Sequence, residues 1–322
     1  MPRPPNIYKI MYIMPSLNKL APIALFVYNR LWHTCQTINA LQKNKLSSES
    51  ELFIFSDGAK NDNVSPQVKE VRDYIRTIDG FKKVTIIEQD MNIGLAKSII
   101  RGVTKIVNEY GRIIVLEDDI VTSPYFLKFM NESLAFYENE DKVWHISGWN
   151  YPIYLNTEND IYLFRLIQTW GWATWKKQWS FFEKNTNKLM KEFSNDDIKR
   201  FNVDNTHNLW HQVILNKYKY SDTWGVYWYA TIFKNNGMCV TPIVSFVKNI
   251  GLDGSGQNCK DPFIKDNITL NHKDNITFIT NVKEDNEIVN QIKPYLQTTY
   301  KSVFVKIINK LSRLILKNKF IK

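Results

Sequence analysis

Three consecutive carboxylates, Glu117, Asp118 and Asp119, have the clearest potential for chemistry in this chain of 322 residues. They follow the apolar run 113–116 and precede a further apolar pair, so they interrupt what would otherwise be one hydrophobic strand. Burying three acids without a partner costs free energy, and a divalent cation with an attached diphosphate would supply the missing positive charge. Such oxygen ligands suit Mg²⁺ or Mn²⁺. An acidic turn that faces solvent is the alternative interpretation.

Two further polar residues stand in the same relation to apolar runs. Arg30 follows the run 22–28, and Asp57 follows the run 52–55. With the three acids they could surround one nucleotide diphosphate with a metal, a carboxylate and a guanidinium. Taken singly, Arg30 is also compatible with a helix cap or a surface position, and Asp57 with an ordinary Ser-Asp-Gly turn.

The elements that would position these residues are short apolar strands that alternate with amphipathic helices. The pattern predicts strands over 22–28, 52–55, 84–87 and 113–116 and helices after the first strand to residue 41, over 65–78 and over 92–108. Such alternation predicts an α/β fold with a mostly parallel sheet covered by helices on both faces, whose ligands bind beyond the carboxyl ends of the strands. We therefore expect one crevice that contains all the polar residues named above.

The composition is that of a packed globular protein. Hydrophobic residues make up 44% and aromatic residues 14%, which excludes wholesale disorder. The formal net charge of +10 indicates an anionic partner. The three cysteines are far apart, which fits a reducing compartment. No window of about 20 residues is both strongly apolar and free of charge, so no transmembrane helix is expected.

Six motifs, in their order along the chain, resemble those of bacterial GT-A sugar transferases. They are Phe26-Val-Tyr-Asn-Arg30, Phe53-Ile-Phe-Ser-Asp57-Gly, Asn92-Ile-Gly-Leu-Ala96, Val115-Leu-Glu-Asp-Asp119, Trp170-Gly-Trp-Ala-Thr-Trp175, and Asp222-Thr-Trp224 followed by Asn249-Ile-Gly-Leu-Asp-Gly-Ser-Gly256. Within that fold the chain is similar to the N-acetylglucosaminyltransferase I type and to family 2-like sugar transferases. The match covers residues 20 to 260, approximately, and its order is more specific than any single motif.

This resemblance implies a metal-dependent, inverting hexosyltransferase or N-acetylhexosaminyltransferase that uses a nucleotide-sugar donor, UDP-linked by preference. It implies that Asp119 ligates Mn²⁺ or Mg²⁺, that Asp118 contacts the ribose or the metal shell, and that Glu117 contacts the donor sugar. By the same resemblance Arg30 and Asp57 hold the uracil and ribose.

The resemblance also implies a catalytic base. An inverting transfer needs a group that takes the proton from the acceptor hydroxyl. Asp222 aligns with the Asp-x-Trp or Asp-Asp-Trp segment that carries the base in the family, and Asp253 is the next candidate. From the sequence alone, Asp222 could instead cap a helix that starts near Trp224.

The second half of the chain, from residue 144, is rich in tryptophan. Trp170, Trp172 and Trp224 could offer ring faces to an acceptor or a sugar, although an aromatic core is the alternative for any single tryptophan. The flexible segment Gly254-Ser255-Gly256 could close over a diphosphate through its backbone N–H groups, or form an ordinary turn.

Residues 301–322 contain seven Lys or Arg residues and no acid, with apolar residues at helical spacing on the other face. This pattern predicts a basic amphipathic helix that binds an anionic membrane surface, or a terminal helix that packs on the body. The expected organisation is an irregular leader (1–19), a nucleotide-sugar-binding half (20–150), an acceptor-side catalytic half (151–260), a polar linker with a hairpin (261–300) and this helix.

The sequence therefore predicts a cytoplasmic enzyme, peripheral on the inner face of the membrane, that transfers sugar to a glycan or lipid-linked glycan in cell-surface polysaccharide synthesis. A nucleotidyltransferase that makes sugar nucleotides is an alternative, but it needs a glycine-rich loop where this chain reads Tyr28-Asn-Arg-Leu31. A nucleic-acid-binding protein is the other alternative. The concentration of basic charge in the tail, away from the tryptophans, argues against it, and no nucleic-acid partner is expected.

Overall fold

The computed structural model describes residues 19–256 and 268–298. The strands are β1 (Ile23–Val27), β2 (Glu51–Ser56), β3 (Lys83–Glu88), β4 (Arg112–Glu117), β5 (Ile120–Thr122), β6 (Val143–Ser147), β7 (Ile161–Phe164), β8 (Trp172–Trp175), β9 (Met238–Pro242) and β10 (Val247–Asn249). The helices are α1 (Leu31–Gln42), α2 (Ser65–Ile75), α3 (Leu95–Tyr110), α4 (Phe126–Phe136), α5 (Lys176–Trp179), α6 (Thr186–Glu192), α7 (Asn195–Phe201), α8 (Trp210–Lys217) and α9 (Gly225–Lys234). Residues 286–298 are also helical.

Eight of these strands form one sheet in the order β3-β2-β1-β4-β8-β6-β9-β7. The pairs β3–β2, β2–β1, β1–β4 and β6–β9 are parallel, whereas β8 and β7 pair antiparallel to their neighbours. The sheet is thus mostly parallel and is flanked by helices. This arrangement confirms the predicted α/β class. It forms because buried apolar strands need cover on both faces of the sheet.

The predicted strands and helices of the first half are all present, with boundaries shifted by up to three residues: the second helix ends at Ile75 and not at residue 78. The third helix begins at Leu95 and not at Asn92, because Gly94 has a φ of 80° that no helix accommodates. The acidic segment interrupts the apolar run as expected: β4 ends at Glu117 and β5 begins at Ile120. Strand β5 then leaves the main sheet and pairs antiparallel with β10.

The two halves of the chain share the central sheet. Strand β8, from the tryptophan-rich half, pairs with β4 from residue Arg112 to Val115 and with β6 on its other side. The hydrophobic core is correspondingly continuous from the first strand to the helical residues after 286.

The predicted polar linker is packed on the body over the part that the structure describes. Four apolar residues of the helical stretch 286–298 are buried: Ile288, Val289, Ile292 and Leu296. Their spacing places them on one helix face, which explains the packing. Within 268–298 no strand is present, so the expected hairpin is absent there.

The amphipathic helix predicted over 301–322 lies outside the described residues and stays a prediction, as does nearly all of the leader. In the described ranges, every helix is too short or too polar to cross a bilayer.

The core of the second half is aromatic and encloses a histidine. The ring of His145 stacks on Trp172 with centroids 5.3 Å apart. Its Nδ1 accepts a hydrogen bond from Trp228 Nε1 at 3.1 Å, so Nε2 carries the proton and donates to the carbonyl oxygen of Gln168 at 2.9 Å. Complete burial lowers the pKa of His145 to about 3.

This histidine gives a testable pH dependence of stability. Between its folded pKa of about 3 and the ordinary value of 6.5 the unfolded chain binds one more proton, so the free energy of unfolding falls as the pH falls below 6.5. We expect wild type to lose about 2 kcal/mol more than His145→Gln between pH 7 and pH 5, at roughly 1.4 kcal/mol per pH unit. Urea unfolding at pH 7, 6 and 5 measures this difference, and parallel curves would contradict it.

Candidate active site

A cleft of about 690 Å³ opens beyond the carboxyl ends of β1, β2 and β4. The three strands are adjacent, and their register pairs Phe26 with Glu117 and Val27 with Ser56. Of the predicted site residues, those that line the cleft are Arg30, Asp57, Glu117, Asp118, Asp119, Trp170, Asp222, Trp224, Ser255 and Gly256. Residues that lie far apart in sequence therefore share one cavity wall.

Arg30 lies against two of the three acids. Its Nη2 donates to Asp119 Oδ2 at 2.8 Å and also contacts Asp118 Oδ1, while its Nε donates to Asp118 Oδ2 at 3.3 Å. All three side chains are largely buried. Arg30 follows β1, whereas Asp118 and Asp119 follow β4, so the guanidinium reaches them from the neighbouring strand. Its positive charge offsets part of their negative charge, because buried ions need a partner of opposite charge. Its Nη1 is buried without a hydrogen-bond partner among the described residues.

The acidic segment is electrostatically crowded. Burial, reinforced by Asp119 and Asp118, raises the pKa of Glu117 to about 8. Burial also raises the pKa of Asp118 to about 6, although Arg30 opposes the shift. Burial alone would lower the pKa of Arg30, but the two aspartates outweigh burial and raise this pKa above the ordinary value. A positive charge at this site would therefore stabilise the ionised carboxylates.

The segment after β10 closes over this cluster at very short range. Ile250 N donates to the carbonyl oxygen of Asp119 at 2.9 Å. A Cβ atom at Gly251 would lie 2.1 Å from Asp119 Oδ2 and 2.9 Å from Arg30 Nη1. Only glycine allows this approach, because no real Cβ contact is so short.

Asp57 lies in the cleft wall, but its carboxylate is occupied by backbone. Oδ1 accepts from Gly58 N and Ile93 N at 2.9 Å each, and Oδ2 accepts from Gly94 N at 2.9 Å. These bonds fix the loop that leads into α3 and leave the side chain 6% exposed. The structure thus gives Asp57 a positioning function in this loop, and its contact with a nucleoside stays a prediction.

Asp222 also lines the cleft and lies in the loop before α9. Its side chain is 64% exposed and forms an ion pair with Lys184. The N-cap of α9 is Trp224, without a side-chain cap bond, so Asp222 does not cap the helix. The carboxylate is accessible from the cleft, as a proton acceptor must be.

Asp253, the second candidate base, is engaged elsewhere. It pairs with His33 Nε2 at 3.1 Å and accepts hydrogen bonds from Ser255 N and Oγ at 2.9 and 2.6 Å. The bonds from Ser255 lower the pKa of Asp253, which weakens it as a base. The interaction also fastens the loop that contains Gly254, Ser255 and Gly256 to α1.

The three tryptophans differ in position. Trp170 is partly exposed in the cleft wall and meets Trp149 edge to face, with centroids 4.9 Å apart. Trp224 reaches the cleft with little exposed surface and stacks on Trp172 at 5.1 Å. Trp172 is 1% exposed and lies in the aromatic core, where it has no free face for a sugar ring.

Two residues important to the site were not singled out from the sequence. Lys184 pairs with Asp222 across 38 residues, and His33 contacts Asp253 from another element. Neither lies in a motif or follows an apolar strand. Asn-Arg-Leu-Trp-His33 does place the histidine one helical turn after Arg30, which is the only local signal for it.

A comparison with known proteins gave structural likenesses only. No protein-family model matches the chain, and no curated protein matches it. A mannosyltransferase from Pyrobaculum calidifontis, solved with GDP-Man and Mn²⁺, is 13% identical with a TM-score of 0.32 and aligns over 45% of this chain and 39% of its own. S. aureus TarS 1-349 is 10% identical with a TM-score of 0.42, over 72% and 61%. A second TarS structure is 16% identical with a TM-score of 0.30, over 43% and 24%.

The carboxylate of Asp57 can be tested as the support of the cleft wall. Asp57→Ala would leave three backbone N–H groups without their acceptor, and we expect the free energy of unfolding to fall by about 2–4 kcal/mol. Asp62→Ala, at an exposed position nearby, is the control and should change stability by less than about 0.5 kcal/mol. Urea unfolding measures both, and equal stabilities would show that Asp57 does not hold the loop.

Proposed function

We propose that the protein is a GT-A-type glycosyltransferase that transfers a sugar from a nucleotide-diphosphate donor, by preference UDP-linked, to a glycan or lipid-linked glycan. The observation that carries this proposal is the single cleft that joins the Arg30–acid cluster to the accessible carboxylate of Asp222. One side can hold a charged donor, and the other has a group that can accept a proton.

The donor side is the edge formed by β2, β1 and β4. Ligands of open parallel sheets bind beyond such strand ends. Among the described residues the buried Nη1 of Arg30 has no hydrogen-bond partner, and Glu117 and Asp118 add acceptors for ribose or sugar hydroxyls. A nucleotidyltransferase would share this edge but would need a phosphate loop rich in glycine, whereas the turn after β1 contains none.

A divalent cation is part of the proposal, with Asp119 as its ligand. Hard carboxylate oxygens suit Mn²⁺ or Mg²⁺, which commonly take one or two carboxylates and complete their shell with substrate phosphates and water. In 19–256 and 268–298 no three acidic, histidine or cysteine side chains converge on one metal position. When bound, the cation would neutralise charge that develops on the departing diphosphate.

We expect Asp119→Ala to abolish Mn²⁺-dependent donor binding, because it removes the proposed ligand. Calorimetry with UDP, with and without Mn²⁺, measures the effect, and Asp62→Ala is the control that should bind as wild type does. If the folded Asp119→Ala protein keeps its metal-dependent affinity, the metal site is not at Asp119.

Asp222 is the proposed general base for an inverting transfer. It would take the proton of the acceptor hydroxyl as that oxygen attacks the anomeric carbon, opposite the departing diphosphate. Lys184 fixes the carboxylate by its ion pair. The partly exposed Trp170 offers an apolar face in the same cleft for a sugar ring.

Asp222→Asn keeps the shape of the side chain but removes its basicity. We expect kcat to fall by about a hundredfold or more, while donor affinity and melting temperature stay near wild type. Asp196→Asn, at an exposed position on α7, is the matched control. Near-normal turnover in the Asp222→Asn variant would mean that another group is the base.

The class of reaction is tested by a hydrolysis screen of nucleotide sugars with Mn²⁺ and no acceptor. Release of UDP from one donor would identify the class and the donor together, and release from none would contradict the proposal. The proposed location is the inner face of the cell membrane, with residues 301–322 as the contact to anionic lipid.

A further inference from the structure

A second, smaller pocket lies beside the cleft and has the opposite charge. Its volume is about 450 Å³. It is lined by Glu183, Lys184, Asn185, Thr186, Asn187, Asn216, Lys217 and Lys219. Of these described residues one is acidic, Glu183, and Lys188 pairs with it at 2.7 Å. The main cleft, by contrast, is lined by five acids and two basic residues.

The pocket and the cleft share a wall. Lys184 lines the pocket, and its ion-pair partner Asp222 lines the cleft. A second link joins Asn216, in the pocket, to Thr223, in the cleft: Asn216 Nδ2 donates to Thr223 Oγ1 at 2.9 Å, and Thr223 N donates to Asn216 Oδ1 at 3.1 Å. A molecule whose reacting hydroxyl lies at Asp222 could therefore extend into the pocket.

The lining groups are suited to an anion. Lys217 contacts Asn187 Oδ1, an uncharged partner, so its own charge is not cancelled. Lys217 and Lys219 are exposed, and the amide groups of Asn185 and Asn187 add neutral donors. The clustered ammonium groups would attract a phosphate or carboxylate into the pocket, whereas the carboxylates of the cleft would repel it.

We infer that this pocket binds the anionic group of a carbohydrate acceptor, a phosphate or a carboxylate, beside the proposed base. The inference rests on the proposed function, because it assigns the substrate class of the acceptor side. Lys184 is central to it: this lysine contacts Asp222 and faces the pocket, so it offsets the repulsion between that carboxylate and a bound anion.

The test compares the affinities of four probes: glucose 6-phosphate, glucuronic acid, glucose and inorganic phosphate. We expect both anionic sugars to bind at least tenfold more tightly than glucose, as measured by calorimetry. The double variant Lys217→Gln/Lys219→Gln should weaken them at least fivefold. Lys191→Gln, on α6 but outside the pocket, is the matched control and should stay within twofold of wild type.

Several results would overturn the inference. Equal affinities for glucose and the anionic sugars would remove the anion site, and unchanged affinity in the double variant would place binding elsewhere. Inorganic phosphate that binds as tightly as glucose 6-phosphate would exclude a carbohydrate acceptor. Failure of the proposed function is read separately, in acceptor-free hydrolysis of nucleotide sugars by the wild-type protein.

Discussion

The ion cluster of Arg30 with Asp118 and Asp119 is the interaction on which the site depends. Two aspartates at the end of a buried strand are tolerated because a guanidinium from the neighbouring strand end lies between them. The cluster joins the end of β4 to the start of α1, and Gly251 packs closely against it. Removing the arginine would leave two largely buried carboxylates without their ion-pair partner.

Around this cluster, acidic and basic side chains line different cavities. The cleft wall at the ends of β2, β1 and β4 is acidic, while the pocket that contains Lys184 is basic. Asp222 lies between these regions, accessible from the cleft and bound to a lysine of the pocket. Under the proposed function, an anionic donor would thus lie near the arginine and the proposed metal, and an anionic acceptor near the lysines.

Much of the site was predictable because it depends on local patterns. Apolar runs of strand length, each followed by a polar residue, correctly place Arg30, Asp57 and the acids at one sheet edge, since parallel strands align their ends. The hydrogen bonds of Asp57 were not predictable, because two of its partners are backbone N–H groups 36 and 37 residues away. The burial of Trp172 and the pairing of Lys184 with Asp222 likewise arise from tertiary packing, which sequence spacing does not encode. The packed helix after residue 286 was missed because a polar composition over 261–300 conceals its apolar positions.

The position of β8 in the sheet has a consequence for how the protein is made. Strand β4 has β1 on one side, but its other edge pairs with β8, which lies 55 residues beyond the end of β4. During synthesis the first half can assemble its parallel strands, yet that edge has no partner until Trp175 has left the ribosome. Unpaired, apolar strand edges associate readily with other chains. Chaperone demand during translation should therefore be concentrated in the interval between these two strands, and a fragment that ends near residue 150 would be prone to aggregation.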